Sequence, residues 1–251
     1  MKKIHLAIIA LATAFVVKAQ NGAHFQYKMT SGKGMNGTMD MKYSEFGSMS
    51  EMKMTAPQLP GGEMKSKSLH KKSNPDVIYI IDDAGKTYRE QKKGAHKEFT
   101  DDREVTVKKL GEETVNGYKC VHALITEGNS TSEVWNTKDI GDYEKYNAAM
   151  EENKSNIGGK RQKALKDAGC EGFPVKMVKK GGEKDPGMTM ELVKFEKKSF
   201  TAADFEIPAG YAKTEAPAGA YPGAPGAGGV GNMTPEERAK YIEEMKKKYG
   251  K

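Results

Sequence analysis

Residues 111–135 read GEETVNGYKCVHALITEGNSTSEVW, and the fold is decided there. Val115-Asn116-Gly117 is a turn signal, because Asn-Gly tolerates the positive φ values of a tight turn. The run from Tyr118 to Thr126 is rich in β-branched and apolar residues and reads as a strand. Alternation puts Tyr118, Cys120, His122 and Leu124 on one face and Val121, Ala123 and Ile125 on the other. Both faces are largely apolar, so the strand is expected to be covered on both sides. Gly128-Asn129-Ser130 makes a second turn, and Glu133-Val134-Trp135-Asn136 pairs back as the next strand of a meander. The single tryptophan, Trp135, suits a core anchor or a ligand platform.

Working outward, the segment before this stretch is strand after short strand. His24 to Thr30 alternates around Phe25, Tyr27 and Met29, and a glycine-rich turn follows at 32–37. Thr38 to Tyr43 puts Met39, Met41 and Tyr43 on one face. Ser48 to Ala56 turns Met52 and Met54 inward against Glu51, Lys53 and Thr55. Lys65 to Lys72 is a weaker strand. Val77 to Ile81 and Lys86 to Glu90 form a hairpin, and Glu104 to Leu110 alternates around Val105 and Val107. After Trp135 the period changes: 139–153 and 160–168 read as two helices, the second stopped by Gly169. Strands resume at 173–179 and 188–197. The closing DFEIPAGY (204–211) offers Phe205 and Ile207 to dock a last short strand.

The ends read differently. Residues 1–19 have the form of a secretory signal peptide: Lys2 and Lys3, an apolar run from Ile4 to Val17, and small or modest residues before a cut ahead of Gln20. That run is short for a membrane span. The first cysteine is Cys120, so no cysteine stands at the cut to carry a lipid, and the chain is not expected to be a lipoprotein. The expected location is a periplasm or the outside of the cell, in soluble form. The 251-residue chain carries a net +7; losing Lys2, Lys3 and Lys18 with the leader leaves +4. Its lysines are interleaved with acids, a solvated surface and not a nucleic-acid footprint. Residues 216–231 (APAGAYPGAPGAGGVG) are 14 of 16 Gly, Ala or Pro, a low-complexity linker of roughly 20–25 Å as a flexible coil. Thr234-Pro235-Glu236-Glu237 starts a terminal amphipathic helix with a capping box. The expected domains are therefore a leader at 1–19, a β-rich domain at 20–213, a linker at 214–232 and a helix at 233–251.

The two cysteines of an exported chain suggest one disulfide, Cys120 to Cys170. It would pin the helical pair to the central strand. The alternative is a metal site using Cys120, His122 and Cys170, which is one ligand short of a closed zinc site. No nucleophile elbow and no H-E-x-x-H is present, and Gly85-Lys86-Thr87 lacks the partner glycine and following helix of a phosphate loop. His24, His70, His96 and His122 lie far apart with no evident shared carboxylate, and read as surface or core residues. No enzymatic activity and no cofactor are expected.

Methionine is the unusual component. Eight of the 15 lie between Met29 and Met64, with M-x-M pairs at Met39/Met41, Met52/Met54 and Met188/Met190. Three readings are open: core packing by a side chain that fills irregular gaps, a pliable apolar pocket for lipid or another greasy ligand, or thioether binding of Cu(I). The candidate ligand-binding set is Met39, Met41, Met52, Met54 and Trp135, with no metal ligands assigned.

The blocks GEETVNGYKC (111–120), SEVWNTKDI (132–140), GFPVKM (172–177) and FEIPAGY (205–211), behind an export signal and a β-meander, resemble secreted bacterial proteins of a domain-of-unknown-function family with a lipoprotein-carrier-like shape. The resemblance implies a β-rich α+β fold: a strongly curved antiparallel sheet, or half barrel, with a two-helix insertion across one face. In lipoprotein carriers that space receives acyl chains. The expected function is that of an exported, non-enzymatic binding protein holding a hydrophobic ligand. The alternative is an envelope interaction protein acting through its linker and terminal helix.

Overall fold

The structure is a computed structural model that describes residues 21–57, 62–92, 103–151, 157–181 and 187–215. The expected leader, most of the linker, the terminal helix and His96 lie outside the described residues. Six strands come first: β1 (Gly22–Ser31), β2 (Met35–Ser44), β3 (Gly47–Thr55), β4 (Glu63–Lys71), β5 (Val77–Asp82) and β6 (Thr87–Lys92). Then come β7 (Val105–Val115), β8 (Tyr118–Glu127), β9 (Ser130–Thr137), α1 (Tyr143–Glu151), α2 (Ile157–Asp167), β10 (Phe173–Lys179), β11 (Met188–Lys198) and β12 (Ala212–Lys213).

All twelve of these strands join one open, curved sheet in the order β12-β6-β5-β4-β3-β2-β1-β11-β10-β9-β8-β7. Two antiparallel meanders, β1–β6 and β7–β11, are zipped together where β11 returns to pair with β1 along its whole length. Of the described strands, β12 alone runs parallel to its neighbour, β6. The α+β, β-rich half barrel expected from the sequence is the architecture that forms.

Local chemistry explains the turns. Asn116 and Gly117 have φ of 50° and 84°, the two positive values that a two-residue hairpin turn between β7 and β8 requires. β7 runs on to Val115, past the Leu110 end expected from alternation. Pairing with β8 carries it through Gly111-Glu112-Glu113, residues of weak strand preference. The register shifts between Lys109 and Gly111, and Leu110 is left 45% exposed at the irregularity.

Three apolar clusters follow from the pleat. The largest gathers Phe25, Tyr27, Met29, Met41, Met54, Leu192, Phe173 and Val175 with Tyr146 of α1. A second, built on Leu69, Tyr79 and Ile81, lies on the opposite side of β4 from Met64, and receives Phe200 and Phe205. The third joins Ala123, Ile125 and Val134 to Leu165 of α2 and to Cys170. The two helices therefore divide: α1 packs on the first cluster and α2 on the third, beside β7. The closing segment docks as expected through Phe205 and Ile207. A one-turn 3-10 helix (Ala202–Phe205), capped by Thr201 and Asp204, leads into it, and Lys71 pairs with Glu206.

The expected disulfide is not formed. Cys120 and Cys170 are both free and buried. Cys120 points into the first cluster, whereas Cys170 packs with Ala123 and Ile125, which the pleat of β8 sends to the other side of that strand. The two thiols thus belong to different clusters. Burial pushes both thiols up from their ordinary value.

Candidate functional site

Cross-strand register builds the candidate site. Met177 of β10 opposes Met190 of β11, Met190 opposes Met29 of β1, and Met29 opposes Gly37 of β2. Gly37 opposes Met54 of β3, and Met54 opposes Met64 of β4. Directly opposed residues share a face. Five methionines and one glycine thus form a single row across six strands. One step along the strands, Tyr27, Met39 and Met52 form a second row, and Phe25 opposes Met41 in a third.

Gly37 has a steric reason to be glycine. A Cβ there would stand 2.3 Å from the Lys53 carbonyl oxygen and 2.3 Å from Met54 Sδ. The Met54 thioether therefore fills the space that a side chain in the row would take.

Burial grades across this surface. Met29, Met41, Met54 and Met190 are buried, at 4%, 7%, 6% and 9% exposure. Met35, Met39, Met52, Met64 and Met177 are half-buried against them. Beside the methionine rows lies an aromatic group centred on Phe173, whose ring sits 5.3 Å from Phe25, 5.8 Å from Phe195 and 6.1 Å from Tyr146. The Tyr27 hydroxyl donates to the Pro174 carbonyl at 2.8 Å, and burial raises its pKa well above the ordinary value.

Of the residues expected from the sequence, Met39, Met41, Met52 and Met54 come together on β2 and β3. Trp135 does not join them. It lies on β9, four strands from β2 in the sheet, although it belongs to the same cluster. Its indole stacks on His122 (4.1 Å between centroids) and lies under Lys176 Nζ (5.2 Å), and its Nε1 donates to Glu113 at 2.6 Å. Both ring faces are occupied, so Trp135 is an anchor and not an open platform. Sequence reasoning missed Met29, Met177 and Met190 as neighbours of this set. Only the Met188/Met190 pair carried a local signal.

Two of the histidines do have carboxylate partners. His24 lies between Asp40 Oδ2 (2.9 Å) and Glu196 Oε1 (3.0 Å) on the polar side of β1. His122 meets Glu133 at 3.0 Å and Glu113 at 3.4 Å. The Glu133 carboxyl is held below its ordinary range by the hydrogen bond from Lys180 and, in addition, by His122. Among the described residues no three His, Cys, Asp or Glu side chains converge as a metal cluster, so the alternative Cys120/His122/Cys170 zinc site is not assembled.

Two grooves on the described surface lie apart from the methionines. One, of about 530 Å³, runs beside β11 past Tyr118, Val193 and Phe195, with Val193 55% exposed. The other, of about 340 Å³, is polar and includes His24, Asp40, Lys42 and Lys53. Among the described residues no helix is long and apolar enough to cross a membrane.

A domain of unknown function, DUF4412, matches residues 24–211. The chain belongs to the DUF4412 family. The match spans both meanders, the helices and the closing segment of this DUF4412 domain. No curated protein matches it significantly in sequence. In shape it is similar to an uncharacterized conserved protein from Thermus thermophilus, at 9% identity and a TM-score of 0.48, over 79% of this chain and 92% of that one. It is also similar to a LolA superfamily protein from Nitrosomonas europaea (9% identity, TM-score 0.26, 75% and 91% covered). A DUF1329 family protein from Desulfovibrio piger gives 12% identity and a TM-score of 0.29, with 74% and 90% covered.

Proposed function

We propose that this DUF4412 chain is an exported binding protein that holds a hydrophobic ligand, a lipid acyl chain or a molecule of similar character, against the methionine face of its sheet. One observation carries the reading: half-buried Met35, Met39, Met52, Met64 and Met177 surround the buried thioethers of Met29, Met54 and Met190 on one continuous face. Methionine is unbranched and polarizable, so such a surface reshapes around a flexible chain. Export rests on the leader-like residues 1–19, with the binding domain at 20–213. The role is binding, not catalysis: the histidine–carboxylate contacts sit away from the methionine face and have no nucleophile assigned to them.

The magnitude is modest. Covering about eight methylenes of an acyl chain contributes about 6 kcal/mol, a Kd on the order of tens of micromolar. Met39 and Met52 oppose each other and are only half-buried, so M39K/M52E places complementary charges across the pair and keeps the strands together. Titration of a fluorescent fatty acid into the full chain is expected to show binding that weakens at least tenfold in M39K/M52E. Unchanged affinity in the folded double variant would remove the methionine face as the site.

A further inference from the structure

We infer that Met39, Met52, Met54 and Met64 also form a binding site for a soft monovalent metal ion, Cu(I) in function and Ag(I) as its analogue. The four are contiguous on one face of three strands. Met39 opposes Met52, Met54 opposes Met64, and Met52 and Met54 are two residues apart on β3. Opposed residues hold their Cβ atoms about 4.5–5.5 Å apart. Each methionine adds three rotatable bonds, so three of these sulfurs can reach a common point above the face.

The donor chemistry selects the ion. Thioethers are soft ligands that suit Cu(I), while carboxylates and imidazoles suit harder or borderline ions. Within the described residues no cluster of His, Cys, Asp and Glu competes. The residues around the quartet add no carboxylate or imidazole on that face: Ser50 opposes Met41, Ser66 opposes Met52, and Gly37 opposes Met54. Access is also present. Met54 is buried, but Met39, Met52 and Met64 are only half-buried, so an ion meets sulfur at the surface and is completed from below.

This site shares its surface with the hydrophobic ligand proposed above but does not depend on it, because a thioether and an alkyl chain differ as metal ligands while being alike as apolar surface. Met→Leu therefore removes the metal ligand without placing a charge on the face. The full chain is titrated with Ag(I), and with Cu(I) against a chelator, and read by native mass spectrometry. One ion per chain is expected. M39L/M52L is expected to lose at least tenfold in metal affinity. Met49 lies on β3 but points to the opposite side, into the second cluster, so M49L is expected to bind the ion like the parent chain. Should M39L/M52L fold poorly by Trp135 fluorescence, M52L/M64L, which also leaves only two of the four thioethers, reads the same loss. No stoichiometric ion on the parent chain, or undiminished affinity in M39L/M52L or M52L/M64L, overturns the site.

Discussion

Phe173 centres the aromatic group beside the methionine rows, and its removal has a calculable effect. The side chain is fully buried and touches the rings of Phe25, Tyr27, Tyr146 and Phe195, which come from β1, α1 and β11. Phe173→Ala removes the transfer energy of the ring and leaves a cavity, together about 3–5 kcal/mol. The ring pairs add to burial, about 0.5–1.5 kcal/mol for each well-oriented pair, which places the expected loss at the upper end. Domains of this kind hold only about 5–15 kcal/mol in total, so the variant is expected to fold with little margin. Urea unfolding followed by the fluorescence of Trp135, the single tryptophan, reads the loss directly. With a slope of about 3 kcal/mol per molar urea, the midpoint falls by about 1–1.7 M. A double-mutant cycle with Tyr146→Leu is expected to give a coupling of about 0.5–1.5 kcal/mol, because the two rings meet directly. A midpoint shift below about 0.3 M for Phe173→Ala would refute the placement of this ring at the centre of the aromatic group.

Three further outcomes are expected. Gly37→Ala would press a methyl group onto the Lys53 carbonyl as well as Met54 Sδ; the sulfur can swing aside and the carbonyl cannot, so a loss of about 1–3 kcal/mol is expected in urea. A thiol reagent applied to the native chain is expected to react slowly with Cys120 and Cys170 and to titrate two thiols once the chain is unfolded, since both are free, buried and raised in pKa. Glu171 is held below its ordinary value of about 4.5, first by the hydrogen bond from Lys138 and then by a backbone amide. Its folded state thus binds fewer protons than the unfolded chain, so its contribution is present above that value and is lost as pH falls through the lower, folded one. Glu171→Gln is expected to lower stability at neutral pH and to flatten the acid decline below the ordinary value of about 4.5, as read by thermal unfolding across a pH series.

The strands are legible in the sequence because each has a wet face: Met39, Met41 and Tyr43 against Asp40 and Lys42, or Met52 and Met54 against Glu51 and Lys53, leave little choice of period. The Asn116-Gly117 turn is legible for the same local reason. Anything set by long-range register is not. Met177, Met190 and Met29 look unrelated in the chain until β11 is seen to return beside β1. The partners of His24, Asp40 and Glu196, lie 16 and 172 residues away, and only the pairing of three strands brings them to one imidazole. The Cys120–Cys170 bond follows from compartment chemistry, which says nothing about which side of a strand a sulfur occupies. Composition groups Trp135 with the methionines, and the sheet order separates them.

The central claim is that the methionine face carries a hydrophobic ligand. The most direct test is native mass spectrometry of the full chain purified from its own cells without detergent. The account predicts an adduct of lipid-like mass that is absent from M39K/M52E purified in parallel. A parent chain that is consistently bare, or an adduct retained in full by the folded double variant, would contradict it.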